Sequence, residues 1–278
     1  MTLPRFLDTL SILLTLPSIA SANPVLLPPR PYLHSVHNWN TTSSRVLTSA
    51  HDVDNTTYLC GSRSDAPIFT LGDEDVGGPG MTIHDADFSN TRQSHYIFFY
   101  ENARDETPWK YTLLHPGKTT FISVCPTFSG RIVRGSIHEN LDGTAKHNLG
   151  TWVEVAWEAH GNTTTSNSSV TATRSWGDVS LLEGCDGGVV MLATDGSGVV
   201  TGFSRNILKA APEAALARKT GESLVLGKTV GSEANLEAMR WELKMLDPLR
   251  EAFIVQDIKP VIVTENGRWD LTFYAGIY

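Results

Sequence analysis

The chain has 278 residues, a formal net charge of -8 and 41% hydrophobic residues. Its length suits one large domain or two small ones. An acidic chain without a Lys/Arg cluster lacks the electrostatic footprint of a nucleic-acid or anionic-membrane binder, so we predict neither kind of partner.

The first 22 residues predict a secretory signal peptide. Arg5 precedes an apolar run at 10–16, and Ala20-Ser21-Ala22 is a small-x-small cleavage pattern. Later apolar runs are too short to span a bilayer, and the C-terminus lacks the long apolar tail of a lipid-anchor signal. We therefore expect a secreted, extracellular protein without a membrane anchor.

Four Asn-x-Ser/Thr sequons predict a glycosylated surface, at Asn40, Asn55, Asn162 and Asn167. The three cysteines, Cys60, Cys125 and Cys185, allow one disulfide bond with one thiol left over. Spacing does not reveal which two would pair.

We predict that residues 95–278 form the main domain. Residues 23–94 are predicted to form an N-terminal arm and the first strands. Short apolar runs separated by Gly/Pro turns indicate a mainly β fold, either a sandwich or a barrel. The predicted strands are 95–100, 110–114, 119–125, 130–135, 151–157, 179–182, 189–193 and 199–203.

Two of these β patterns carry further detail. Alternation in 151–157 puts Trp152, Glu154 and Ala156 on one face, and Val153, Val155 and Trp157 on the other. Asn266-Gly267 predicts a type I′ turn that joins 260–265 and 268–274 into a hairpin.

A small helical insertion is predicted at about 204–253. Ser204 is the expected cap of a first helix that reaches Gly221, with Pro212 breaking or kinking it. Ser232 is the expected start of a second helix, which ends before Asp247-Pro248. Its apolar residues recur at helical spacing, which predicts core packing; they are Leu236, Met239, Leu243 and Leu246.

Several segments, in conserved order over about 96–275, resemble the thaumatin-like (osmotin-like) family. Residues 115–121 (HPGKTTF) and 130–134 (GRIVR) are similar to the family's NPGQTW and GRIWGR, and 177–184 (GDVSLLEG) is similar to YDVSLVDG. Similar matches occur at 150–155, 206–216, 247–253, 257 and 268–273. The family usually has sixteen cysteines, so three would make this chain a divergent, cysteine-poor member.

The resemblance implies a β-sandwich body, a small second subdomain and an acidic cleft. Carried over one residue at a time, the cleft would be lined by Arg131, Glu154, Asp178, Glu183 (in place of an Asp) and Asp257. Trp176, beside Asp178, is the best candidate for a sugar-stacking platform. The alternative is that Glu154 and Asp178 are solvated strand residues with Arg131 as their ion-pair partner.

Three functions remain open. The first, which family behaviour favours, is binding of cell-wall polysaccharide of the β-1,3-glucan type. The second is a weak endo-β-1,3-glucanase with Glu154 as acid and Asp178 as base or nucleophile, although the nearby Arg131 disfavours a neutral acid. The third is a non-catalytic secreted effector or defence-type interaction protein. In each case we expect a monomer with no metal or other cofactor.

Overall fold

The structure, a computed structural model, describes residues 66–88, 94–102, 106–141, 149–158, 174–219, 223–258 and 260–277. The predicted signal peptide (1–22), Cys60 and the sequons at Asn40, Asn55, Asn162 and Asn167 lie outside the described residues. Within the described ranges, none of the helices has both the length and the apolar character needed to cross a membrane.

Fourteen strands and two α-helices make up the regular structure of these ranges. The strands are β1 (Ile68–Thr70), β2 (Gly80–Asp85), β3 (His95–Glu101), β4 (Lys110–Leu114), β5 (Thr119–Ser123), β6 (Ser129–Gly135), β7 (Trp152–Glu158), β8 (Arg174–Ser180), β9 (Gly187–Ala193), β10 (Val200–Gly202), β11 (Leu216–Arg218), β12 (Leu224–Leu226), β13 (Ile262–Thr264) and β14 (Arg268–Gly276). The helices are α1 (Ile137–Asn140) and α2 (Leu236–Met245), with a 3-10 turn at Glu213–Ala215.

The strands form two large sheets and one small one. The first sheet has the order β1-β4-β3-β6-β7-β8-β13, the second has the order β10-β9-β14-β2-β5, and β11 pairs only with β12. Alternate residues of both large sheets share one apolar core, for example Ile97 and Val153 from the first and Ile83 and Leu271 from the second. The two sheets therefore pack face to face, and the prediction of a mainly β fold is confirmed.

The alternation predicted for β7 agrees with this packing. Val153, Val155 and Trp157 are buried in the core between the sheets, so Trp152, Glu154 and Ala156 lie on the opposite face of the first sheet. Upstream of residue 95, β1 and β2 are each integrated into a large sheet, because β1 pairs with β4 and β2 lies between β14 and β5. The β body thus includes residues from at least Ile68.

The predicted hairpin around Asn266-Gly267 is wrong. β13 pairs with β8 in the first sheet, whereas β14 pairs with β2 and β9 in the second. The turn therefore connects the two layers, and only Gly267 has a positive φ, of 64°, whereas type I′ needs two. The reason is tertiary: both edges of β14 are already occupied, so β13 pairs with a strand in the other layer.

The first predicted helix, from Ser204 to Gly221, is also wrong. Its described part contains only the 3-10 turn, and β11 follows immediately and pairs with β12. Pro212 precedes the 3-10 turn in an extended conformation, with ψ at 144°. Proline cannot donate a backbone hydrogen bond and therefore interrupts a helix. At Pro212 this effect outweighs the helical preference of the surrounding residues.

Helix α2 exists, but its start and its buried face differ from the prediction. It begins after Asn235, not Ser232, and Asn235 accepts hydrogen bonds from the backbone of Glu237 and Ala238. Leu236 and Leu243 are 56% and 39% exposed. The side that packs on the body carries Ala238, Trp241, Glu242, Met245 and Leu246.

Candidate ligand-binding site

Three charged residues lie in a line across adjacent strands on the outer face of the first sheet. Arg131 of β6 is directly opposite Glu154 of β7, and Glu154 is directly opposite Asp178 of β8. Opposite residues of antiparallel strands project to the same side, with Cβ atoms about 4.5–5.5 Å apart. We call Arg131, Glu154 and Asp178 the charged row.

Arg131 is held between two aromatic rings. Its guanidinium carbon lies 4.4 Å from the ring centroid of Tyr100 and 4.4 Å from that of Trp152. Burial lowers the pKa of Arg131 to about 10, while the negative charges of Glu154 and Glu183 and the Tyr100 group act in the opposite direction. Arg131 therefore stays cationic at neutral pH. Its two aromatic neighbours hold it next to the carboxylate-bearing residues of the row.

The members of the charged row differ in their access to solvent. Arg131 is only 4% exposed and Asp178 8%, whereas Glu154 is partly exposed. Glu154 is therefore the carboxylate of the row that a ligand can reach most directly, and the other two residues shape its electrostatic surroundings.

Glu183 lies close to the row, although five positions separate it from Asp178. β8 ends at Ser180, and the chain then turns through 181–184, with Gly184 at a φ of 104°. The carboxylate of Glu183 forms an ion pair with Lys228, Oε2 to Nζ 2.6 Å, and its charge acts on Arg131. Residues five positions apart in an ideal strand point to opposite faces. The turn therefore allows Glu183 to lie on the same side as Asp178 and Arg131.

Asp257 is placed less favourably. The chain at Phe253 runs beside β8, because Phe253 exchanges backbone hydrogen bonds with Val179 and Leu181. Asp257 lies four residues later in an exposed turn, and no hydrogen bond or ion pair joins it to the charged row in the part of the chain that the structure describes. The structure brings Arg131, Glu154, Asp178 and Glu183 together.

Two tryptophans flank the row on the same face. Trp152 precedes Glu154 by two residues on β7, and Trp176 precedes Asp178 by two residues on β8. Both are partly exposed, whereas Trp157 and Trp269 are buried in the core. The outer face therefore offers carboxylate, guanidinium and indole groups within one area.

Sequence reasoning missed Tyr100 and Lys228. β3 pairs with β6, and their register places Tyr100 directly opposite Arg131. The residue pattern in 95–100 indicates a strand, but it does not indicate the partner strand or the register. The pairing of Tyr100 with Arg131, 31 positions later, therefore could not be predicted from either segment alone. Lys228 follows a hairpin that the sequence did not predict.

The cysteine question left open by the sequence is settled in part. Cys125 is disulfide-bonded, and Cys185 is a free, fully buried thiol. Burial raises the pKa of Cys185 to about 12, with the nearby charge of Glu242 as the second cause. A thiol of this kind is not a nucleophile at neutral pH.

The described residues were also compared with the ligand sets of metal sites. Among the described residues, no three His, Cys, Asp or Glu side chains are grouped as a metal site would require.

Comparison with protein-family models finds no match for this chain, and comparison with curated proteins finds none either. The thaumatin-like resemblance therefore rests on the segments quoted above.

Proposed function

We propose that this chain is a secreted, glycosylated, divergent thaumatin-like protein that binds cell-wall polysaccharide of the β-1,3-glucan type. The observation that carries the proposal is the charged row: Arg131, Glu154 and Asp178 stand directly opposite one another on adjacent strands. These are three of the charges that the resemblance implies for a polysaccharide-binding cleft.

The chemistry of the face suits an uncharged sugar chain. Carboxylates accept hydrogen bonds from hydroxyl groups, and a guanidinium donates them. Indole rings contact the apolar faces of sugar rings, as partly exposed Trp152 and Trp176 allow. Binding of this kind requires no carboxyl group to stay protonated, so Arg131 beside Glu154 favours it over catalysis.

The test is retention on insoluble β-1,3-glucan. Glu154→Lys should reduce retention by about tenfold or more, because it replaces the accessible acceptor of the row with a like charge to Arg131. Glu74→Lys is the matched control, since it makes the same charge change at an exposed acid in the loop between β1 and β2, outside strands β6, β7 and β8. Thermal denaturation of each variant should show that both remain folded.

Two results would count against glucan binding. One is wild-type retention no higher than that of Glu154→Lys. The other is an equal loss in Glu74→Lys, which would mean that only net charge matters. In that case the non-catalytic effector or defence-type role would become the better reading.

One observation favours the glucanase alternative. Glu154 and Asp178 are direct cross-strand partners, so their Cβ atoms lie about 4.5–5.5 Å apart. Side chains that start this close can bring their carboxyl groups to the separation of about 5–5.5 Å found in retaining glycosidases. If this activity exists, incubation with soluble β-1,3-glucan between about pH 4 and 7 should release oligosaccharides. Glu154→Gln should then abolish release, whereas unchanged release or none from the wild type rejects the alternative.

A further inference from the structure

The two partly exposed tryptophans of the outer face share an unusual feature. Each has a guanidinium over its ring: Arg131 lies 4.4 Å from the Trp152 centroid, and Arg174 lies 5.4 Å from the Trp176 centroid. Arg174 is itself held by Glu265, with Nη2 to Oε1 at 2.6 Å and Nε to Oε1 at 3.0 Å. A cation over an indole restrains the ring's orientation.

The two indoles are arranged along the strands. Trp176 lies directly opposite Ala156, which follows Trp152 by four residues on β7. Four residues of strand and one step between strands separate the Cα atoms of Trp152 and Trp176 by about 14 Å. Glu154 lies midway between Trp152 and Ala156 on the same face.

Trp176 has small neighbours on the side toward β7 and a valine, Val263 of β13, on its other side. Ser129 is opposite Ala156, and Ala156 is opposite Trp176. Small side chains at Ser129 and Ala156 leave the indole of Trp176 higher than these two neighbours. A ligand that contacts Trp176 can therefore also approach Glu154 without a bulky side chain between them.

We propose that Trp152 and Trp176 are two stacking subsites for one oligosaccharide that lies along β7 and β8, with Glu154 binding its middle. The ligand is a neutral chain of at least three sugar rings, one over each indole and one opposite Glu154. Shorter sugars cannot reach both indoles. This inference rests on the proposed glucan-binding function and specifies the length and direction of its ligand.

Arg174 is a positioning residue in this arrangement. It acts through Trp176, and its ion pair with Glu265 keeps it over the ring. Lysine carries the same charge but lacks the planar group that stacks on an indole. Arg174→Lys should therefore restore only part of the binding that Arg174→Ala loses.

The experiment is calorimetric titration with β-1,3-linked glucose oligomers from the dimer to the hexamer. For the wild type, affinity should rise by about tenfold or more between the dimer and the longer oligomers, because only the latter contact both indoles. Trp176→Ala should remove most of this gain with oligomer length. Trp176→Phe should retain part of it.

Trp241 provides the matched control. It is also a partly exposed tryptophan with a cation over its ring, Lys244 at 5.3 Å, but it lies on α2. Because Trp241 also packs against the core, Trp241→Ala is titrated at a temperature at which thermal denaturation shows it to be folded. Under those conditions it should leave the length dependence intact.

The outcomes separate the two proposals. Affinity independent of length, or a Trp176→Ala variant with the full gain, overturns the inference even if Glu154→Lys still abolishes glucan retention. An equal loss in Trp241→Ala overturns it too, because the effect would then not belong to this face. A wild type that binds no oligomer and no insoluble glucan overturns both proposals.

Discussion

Glu242 and Asp186 show two ways in which this protein accommodates a buried carboxyl group. Asp186 is bonded to two cations, with Oδ2 2.6 Å from Lys219 Nζ and Oδ1 3.1 Å from Arg134 Nε. Glu242 is equally buried, yet in the described part of the chain neither of its oxygens has a hydrogen-bond partner. Burial alone raises the pKa of Glu242 well above its usual value.

Replacing Glu242 should stabilise the protein. Because its pKa is higher in the folded than in the unfolded state, its contribution is most favourable below about pH 4.3 and becomes less so as pH rises toward the folded pKa. Glu242→Met should raise the free energy of unfolding by about 1–3 kcal/mol at pH 7. The gain should be smallest near pH 4, as measured by urea denaturation across this range.

Glu237→Met is the control for that measurement, because Glu237 is an exposed acid on the same helix. Its effect should be small at every pH. A Glu242→Met variant that is less stable than the wild type at pH 7 would contradict the reading of Glu242 as an unsatisfied group.

At the scale of single elements, α2 shows how two apolar patterns can compete within one helix. Leu236, Met239, Leu243 and Leu246 recur at helical spacing, but so do Ala238, Trp241 and Met245. The second set packs against the core, and so do Met239 and Leu246 of the first set, whereas Leu236 and Leu243 are exposed. Ala238 is small enough to allow the helix close to its neighbours, and the Trp241 indole donates to the Ile207 carbonyl at 2.9 Å. These contacts, together with hydrophobicity, determine which side of α2 is buried.

The start of α2 gives a prediction that distinguishes the two proposed caps. Asn235 Oδ1 accepts from the backbone nitrogens of Glu237 and Ala238 at 3.0 Å each. Asn235→Ala should therefore lower the free energy of unfolding by about 1 kcal/mol. Asn235→Asp should recover only part of this loss, because it keeps the cap acceptor but loses the Nδ2 donor to the Ala214 carbonyl, at 2.9 Å in the wild type. Ser232→Ala, at the start expected from the sequence, should change it by less than about 0.5 kcal/mol.

Chemical denaturation of these three variants measures the difference. A larger loss for Ser232→Ala than for Asn235→Ala would mean that the helix begins where the sequence pattern first indicated.

For the whole molecule, Asp186 links parts of the fold that are distant in sequence. It accepts from the Thr151 backbone nitrogen next to β7, it pairs with Arg134 of β6, and it pairs with Lys219, which follows β11. Arg134 also donates to the Tyr274 carbonyl of β14. One buried carboxylate thus connects the first sheet, the second sheet and the small hairpin.

Asp186→Asn should be strongly destabilising, by about 3–5 kcal/mol, because it leaves two buried cations without their counter-charge. Glu265→Gln should cost less than about 1 kcal/mol, since the Arg174–Glu265 pair has side-chain exposures of 40% and 64%. Thermal and chemical denaturation of both variants test the contrast. Similar small losses would mean that Asp186 does not hold these parts together.

The fold was predictable where its signal is local. Alternation of apolar residues locates β3, β4 and β6 to within about a residue, and it assigns Val153 and Glu154 to opposite faces of β7. The hairpin at Asn266-Gly267 failed because the turn motif is local while the choice of partner is not. Similarly, Glu154 and Asp178 were identified as candidates, but Tyr100 and Lys228 were not.

By itself, the sequence determined the mainly β class, most strand positions and which side chains of β7 face the core, because these depend on a two-residue period within one segment. Only the tertiary structure decided which strands are neighbours and in what register. That register brings Arg131, Glu154 and Asp178 into one line and places Arg131 between Tyr100 and Trp152. Pairing is decided by which strand edges are unoccupied and by the packing of two layers, and neither is encoded in any single stretch of the chain.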